Sequence, residues 1–145
     1  MVFQRKNQLL LCLIMVMSLS SFGQSSEFEQ HIEENGHAII EDFVKLLSIP
    51  NVAYDLPNIN KNAGYIVSEL EKRGVEAKLL RTIGTPPIVF GYLPAKNATR
   101  TLAFYVHYDG QPAAPTNWKH QPWEPTFYDK AMLEGGNSIP FPKEG

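Results

Sequence analysis

The hydrophobic pattern of this chain changes its period at Gly74, and this change limits the folds open to it. Before Gly74, apolar residues recur at the spacing of one helix face. After Gly74, they alternate with polar residues, which is typical of a half-buried strand. A chain that passes from a helical to a strand period favours an α/β or α+β fold over a helical bundle.

The first of two predicted helices covers residues 27–47. Ser26 and Glu29 have the spacing of a capping box, in which two side chains satisfy free backbone N–H groups at a helix start. Gly36 is a weak point inside this segment, because glycine costs backbone entropy in a helix. Apolar side chains recur near helical spacing: Phe28, Ile32, Ile39, Ile40, Phe43, Val44 and Leu47.

The second predicted helix follows an irregular link bracketed by Pro50 and Pro57. Asn58 or Asn60 would cap its first turn. Gly74 stands where a left-handed residue usually ends a helix. One face is apolar and comprises Ile59, Ala63, Ile66, Val67 and Leu70, and the basic residues Lys72 and Arg73 suit the negative end of the helix dipole.

Three strands are predicted after Gly74, at residues 75–80, 88–93 and 101–106. The third is nearly all apolar, so we expect both of its faces to be covered. The stretch after Asp109 is interrupted by prolines and is expected to be irregular. The fold class is therefore α/β, with two helices followed by a sheet of at least three strands.

Residues 1–23 resemble a secretory signal peptide. Arg5 and Lys6 form a positive start, residues 9–17 are an uncharged apolar run, and small residues lead to Gly23. We expect cleavage near Gly23 and export to the periplasm or the extracellular space. An uncleaved membrane anchor is the alternative, although the run is shorter than the ~20 residues of a spanning helix. No membrane span is expected in residues 24–145.

Charge and cysteine content limit the partners and the sources of stability. Removing Arg5 and Lys6 with the signal leaves 11 basic against 15 acidic residues, a net charge of −4. A mildly acidic surface is unsuited to nucleic acid. Cys12 is the only cysteine and lies in the signal, so disulfides cannot stabilise the mature chain.

The third predicted strand ends in His107, and Asp109 follows two positions later. Ligands gather at the carboxyl ends of strands in open α/β sheets. Imidazole is a good zinc ligand, and a ligating histidine usually passes its other N–H to a carboxylate or a carbonyl. His-x-Asp alone also fits a strand end whose polar groups bond only to each other, because so short a motif needs its context.

The longer string around this motif, His107-Tyr-Asp-Gly-Gln-Pro112 followed by Trp118 and Gln121-Pro-Trp-Glu-Pro125, resembles the di-zinc metallopeptidases of family twenty. These include carnosinase-like and Cys-Gly dipeptidases, aminoacylases and acetylornithine deacetylases. The resemblance spans residues 28–124 and includes "LLSIPNV" and "LEKRGVEAKLL" upstream. It implies that His107 is a metal ligand, that Asp109 is the catalytic-site acid that orients it, and that the fold is a zinc-peptidase catalytic domain.

The resemblance also implies an exported hydrolase that cleaves small peptides or N-acyl amino acids with metal-activated water. Two zinc ions are expected, with other divalent metals as alternatives, and a homodimer is compatible with the family. The family's bridging aspartate, its Glu-Glu pair, its later ligands and its lid domain have no counterpart here. We therefore expect residues 24–145 to be the N-terminal portion of the catalytic domain, inactive alone. The alternative is a small secreted α/β binding module without catalysis.

Five further side chains are candidates for the site. His31 and His37 lie on the first predicted helix, where we expect them to face solvent. His120 is expected at the surface, although its loop allows it to approach the site. Trp118 and Trp123 are expected to anchor the proline-rich loop to the core, because aromatic side chains bury large areas. Walls of a substrate pocket are the alternative for both.

Overall fold

A computed structural model describes residues 23–142 and confirms the α/β class. These residues form two compact units, one of residues 23–41 with Pro142 and the other of Asp42–Phe141. The predicted signal peptide lies outside the described residues except for Gly23. Within the described part, no helix has both the length and the apolar character needed to cross a membrane.

Helix α1 is Gly23–Leu47 and runs without a break through Gly36. The helix begins upstream of Ser26, so the predicted capping box is wrong, because Ser26 lies inside the first turns. Its apolar face stays largely exposed, including Phe28 and Phe43.

Helix α2 is Leu56–Lys72, and its start corrects the predicted cap. Asp55 is the N-cap, and its Oδ1 accepts a hydrogen bond from the Asn58 backbone N–H at 3.3 Å. Asn58 and Asn60 therefore lie inside the helix. Pro57 is tolerated in the first turn, because the backbone N–H at that position makes no intrahelical hydrogen bond. The most buried side chains among the described residues lie on this helix: Ile59, Asn62 and Ala63.

The end of α2 confirms the role predicted for Gly74. Arg73 is the C-cap, and Gly74 adopts φ +76°. Gly74 N–H donates to the Glu71 carbonyl and Val75 N–H donates to the Leu70 carbonyl, both at 3.0 Å. This pair of bonds is a Schellman motif, which satisfies the last carbonyls of the helix and turns the chain into the following strand.

Gly74 and Gly64 should respond in opposite directions to alanine. Gly74→Ala places a residue with a Cβ in the left-handed backbone conformation and is expected to destabilise the chain by roughly 1–2 kcal/mol. Gly64 lies inside α2 with open space around it, so Gly64→Ala should stabilise by roughly 0.5–1 kcal/mol. Urea unfolding followed by circular dichroism measures both, and equal effects of the same sign would contradict the assigned conformations.

The first two predicted strands form, as β1, Glu76–Leu80, and β2, Ile88–Tyr92, and they pair as an antiparallel hairpin. One face packs on α2, and the approach is close at Gly91, where a Cβ would lie 3.1 Å from Val75 Cγ1 and 3.3 Å from Leu70 Cδ1. The other face is exposed, and Lys78 Nζ lies 5.5 Å from the Phe90 ring centroid.

The strand predicted at residues 101–106 does not form, and the expectation that both its faces are covered is wrong. This segment has no strand partner among residues 23–142, and its side chains are exposed, with Phe104 84% and Tyr105 97% accessible. A strand needs neighbours to satisfy its backbone, so an apolar run without them stays unpaired. The sheet of at least three strands is replaced by two two-stranded sheets.

The stretch after Asp109 is mostly irregular, as predicted. It contains two 3₁₀ turns, Pro115–Asn117 and Met132–Glu134, and a short hairpin of β3, Phe127–Tyr128, with β4, Ser138–Ile139. Asp129 closes the hairpin, because its Oδ1 accepts the Asn137 backbone N–H at 2.8 Å.

Candidate metal site

His107 lies at the end of the unpaired segment with its imidazole 77% exposed. Its Nδ1 lies 2.9 Å from the backbone carbonyl oxygen of Asp109 and 3.6 Å from Asp109 Oδ1. Both neighbours are acceptors, so Nδ1 holds the hydrogen and donates to the carbonyl. In the neutral form of this tautomer, the lone pair is on the other nitrogen, Nε2.

Asp109 therefore orients His107 through its main chain, whereas the sequence had pointed to its carboxylate. A separation of 3.6 Å is too long for a hydrogen bond. The carboxylate is 48% exposed and remains available to a further partner. The ligand role of His107 and the acid role of Asp109 remain predictions.

Gly110, next to Asp109, is hydrogen-bonded to the segment between α1 and α2. Val52 and Gly110 form a parallel β-bridge, in which Gly110 N–H donates to the Asn51 carbonyl at 2.7 Å and Ala53 N–H donates to the Gly110 carbonyl at 2.9 Å. Tyr108 donates its hydroxyl to the Pro87 carbonyl. Burial raises the pKa of this phenol, and the nearby Asp109 charge raises it further.

Asn51 is a site residue that the sequence analysis missed. Its Nδ2 donates to the Tyr108 carbonyl at 3.3 Å, and its Oδ1 accepts from Trp123 Nε1 at 3.0 Å. The only signal in the sequence is that Asn51 belongs to the "LLSIPNV" segment of the family resemblance. That segment does not indicate a contact with Tyr108, which is 57 positions away, or with Trp123, which is 72 positions away.

Of the aromatic candidates near the His107-x-Asp109 motif, Trp123 is hydrogen-bonded to Asn51, whereas Trp118 and His120 are not. Trp123 is half-buried and anchored on Asn51, as predicted, but Trp118 is 59% exposed, so the anchor prediction is wrong for it. His120 is half-buried, with Nε2 2.5 Å from the Tyr128 hydroxyl.

The two histidines of α1 differ. His31 is exposed, as expected. His37 is half-buried, and its Nε2 donates to the Pro142 carbonyl at 2.6 Å, so it faces solvent only in part. Among residues 23–142, no three His, Cys, Asp or Glu side chains are grouped to hold a metal ion.

Most of the shifted pKa values lie in an ion-pair cluster of Asp42, Glu69, Lys72 and Arg73. Hydrogen bonds from Lys72 and Arg73 lower the pKa of Glu69. Burial opposes ionisation of Asp42, but bonds from Arg73 and Lys45 outweigh it and lower that pKa as well. Arg73 Nη2 lies 3.2 Å from Asp42 Oδ2, which links Asp42 to the C-cap of α2, so the cluster is structural.

Glu69 should contribute pH-dependent stability. Its folded pKa lies below the ordinary value of 4.5, so its contribution is present above pH 4.5 and is lost as the pH falls through the folded pKa. Glu69→Gln is therefore expected to lower the free energy of unfolding near neutral pH and to leave it nearly unchanged in strong acid. Urea unfolding from pH 7 to pH 2 measures this, and a pH-independent difference would contradict it.

Comparison with known proteins relates this chain to metallopeptidases. It is 34% identical over 115 residues to a Candida albicans protein named Cys-Gly metallodipeptidase DUG1, covering 68% of this chain and 24% of that protein. It is 28% identical over 118 residues to Cys-Gly metallodipeptidase dug1 of Schizosaccharomyces pombe, covering 72% and 25%. The chain thus spans about a quarter of the length of these curated relatives.

Two other comparisons found nothing similar. No protein-family model matches the chain. No solved structure matches it either. The relationship to metallopeptidases therefore rests on the two dipeptidases.

Proposed function

We propose that this chain provides the first metal ligand of an exported, zinc-dependent dipeptidase. The observation that supports this most directly is the His107 ring, whose Nδ1–H faces the Asp109 carbonyl at 2.9 Å and whose Nε2 has no hydrogen-bond partner among residues 23–142. A ligating histidine in proteins usually has this arrangement, with one nitrogen fixed by an oxygen acceptor and the other facing the metal.

The residues present fit one ligand position and no more. A catalytic zinc usually has three protein ligands and a water, and the described residues supply no group of three. The remaining ligands and the general base would therefore come from residues beyond those of this chain. A second zinc ion belongs to the same proposal, with other divalent metals as alternatives.

The metal, when bound, would activate water and polarise the carbonyl of the scissile bond. His107 would hold it through Nε2, and Asp109 would keep the imidazole in the matching tautomer through its carbonyl oxygen. The Asp109 carboxylate lies on the same side of the ring and is half exposed. It is therefore available to a neighbouring ligand or to a proton on the substrate.

The proposed substrates are small peptides, with Cys-Gly as the first to test because both related proteins are named for it. N-acyl amino acids are the second class. Export is proposed from the charge and hydropathy pattern of residues 1–23.

Zinc titration with His107 and His31 variants tests the metal role. We expect weak binding that His107→Ala reduces by more than about tenfold, since even residues that support a ligand contribute 10–100-fold in affinity. His31→Ala is the matched control, because His31 is exposed on α1, and it should leave the affinity unchanged. Isothermal titration calorimetry measures both, and equal affinities of the two variants would contradict the proposal.

Hydrolysis of Cys-Gly by the purified chain tests whether partners are required. We expect no chelator-sensitive activity, because a single histidine and a single carboxylate cannot complete the site. Chelator-sensitive hydrolysis that persists after repeated purification would overturn the proposal that the other ligands come from elsewhere. The coding sequence adjoining this chain supplies a second test, since it should encode an acidic metal-bridging segment and a Glu-Glu pair.

A further inference from the structure

Asn51 joins three parts of the candidate site through its side chain and its backbone carbonyl. Its Nδ2 donates to the Tyr108 carbonyl at 3.3 Å, its Oδ1 accepts from Trp123 Nε1 at 3.0 Å, and its backbone carbonyl accepts from Gly110 N–H at 2.7 Å. These contacts lie on both sides of Asp109 in the sequence. Asn51 therefore restrains the segment whose carbonyl oxygen faces His107.

The chemistry of the partners fixes the orientation of the Asn51 amide. The Trp123 indole can only donate, so it requires Oδ1, and the Tyr108 carbonyl can only accept, so it requires Nδ2. Space is limited on the third side, since a Cβ at Gly110 would lie 2.9 Å from Nδ2. The side chain thus has one orientation that satisfies both partners.

The link that holds Asn51 is itself fixed to α2. Asn62 is 2% exposed, and its Nδ2 donates to the Pro50 carbonyl at 2.7 Å and to the Asn58 carbonyl at 3.0 Å. Buried amides with satisfied bonds define one local arrangement, because any alternative leaves a polar group unpaired. The link that carries Asn51 is therefore hydrogen-bonded to α2, which contains the most buried of the described residues.

We propose that Asn51 is a positioning residue for His107. It holds the Tyr108 and Gly110 backbone so that the Asp109 carbonyl accepts the His107 Nδ1–H, which leaves Nε2 available to a metal. This inference rests on the proposed function, in which Nε2 is the metal-binding atom. Asn51 touches neither metal nor substrate and acts only through the backbone around Asp109.

The tautomer of His107 reports this role more specifically than stability does. In the full chain, ¹⁵N NMR of the imidazole is expected to show Nδ1–H. Asn51→Ala should shift the ratio of Nδ1–H to Nε2–H about fivefold towards Nε2–H, the size expected for one hydrogen bond. Asn35→Ala is the matched control, because Asn35 contacts His31 on α1, and it should leave His107 unchanged.

The outcomes separate the two proposals. If Asn51→Ala stays folded by circular dichroism and keeps the wild-type tautomer ratio, the positioning role is overturned. If Asn51→Ala unfolds, Asn51→Asp tests the role instead, because it keeps an acceptor for Trp123 but lacks the donor to Tyr108. An unchanged His107 tautomer ratio in Asn51→Asp overturns the positioning role. Failure of zinc to perturb His107 in the wild-type chain would instead overturn the proposed function.

Discussion

Ile59→Ala is expected to reduce the free energy of unfolding by about 2–5 kcal/mol, the range for removing a large aliphatic side chain from a core. Ile59 is fully buried, whereas few other apolar side chains of the described residues are. The core is small, so one cavity removes a large share of its apolar packing. Chains of marginal stability lose their cooperative transition after such changes.

Ile83→Ala is the matched control, because Ile83 is fully exposed in the turn between β1 and β2. The same group is removed there without leaving a cavity, so we expect a change within about 0.5 kcal/mol. Urea unfolding measures both variants. A loss below about 1 kcal/mol for Ile59→Ala, or equal losses for the two, would show that α2 does not form the core.

Self-association of the purified chain through residues 101–106 is the second large effect expected. The segment has unpaired backbone groups, exposed apolar side chains and no internal proline or charge. Such a segment is a template for pairing with another strand. We therefore expect the apparent mass in light scattering to rise steeply with concentration, and Phe104→Lys to suppress that rise.

Leu133→Lys separates strand pairing from general hydrophobic attraction. Leu133 is fully exposed, but it lies inside a 3₁₀ turn and not in an unpaired extended segment. Leu133→Lys adds the same charge as Phe104→Lys and should leave self-association almost unchanged. A monomeric wild-type chain with a sharp reversible melt, or equal suppression by the two lysines, would contradict pairing through residues 101–106.

The parts of the fold that the sequence predicted well depend on local chemistry. α2 and its end at Gly74 follow from apolar spacing and from the left-handed conformation that glycine permits. Strand β1 follows from alternation of apolar and polar residues. The start of α2 was misplaced because Asp55 competes with Asn58 as a cap, and sequence spacing alone does not rank them.

The parts predicted poorly depend on contacts between distant residues. Residues 101–106 have the composition of a buried strand, but pairing needs a neighbour that composition does not reveal. The site shows the same division. His107 and Asp109 were predicted from their place after an apolar run and from the family resemblance, and their roles remain predictions. Asn51 is recognisable only after folding brings it against Tyr108 and Trp123.

The central claim is that His107 binds a metal through Nε2 while Nδ1–H donates to Asp109. A zinc titration of ¹⁵N-histidine-labelled chain, followed by NMR of the imidazole nitrogens, tests it most directly. We predict that the His107 Nε2 resonance shifts while Nδ1 stays protonated, and that His31, His37 and His120 respond far less. An unperturbed His107 Nε2, or equal shifts at all four histidines, would contradict the claim.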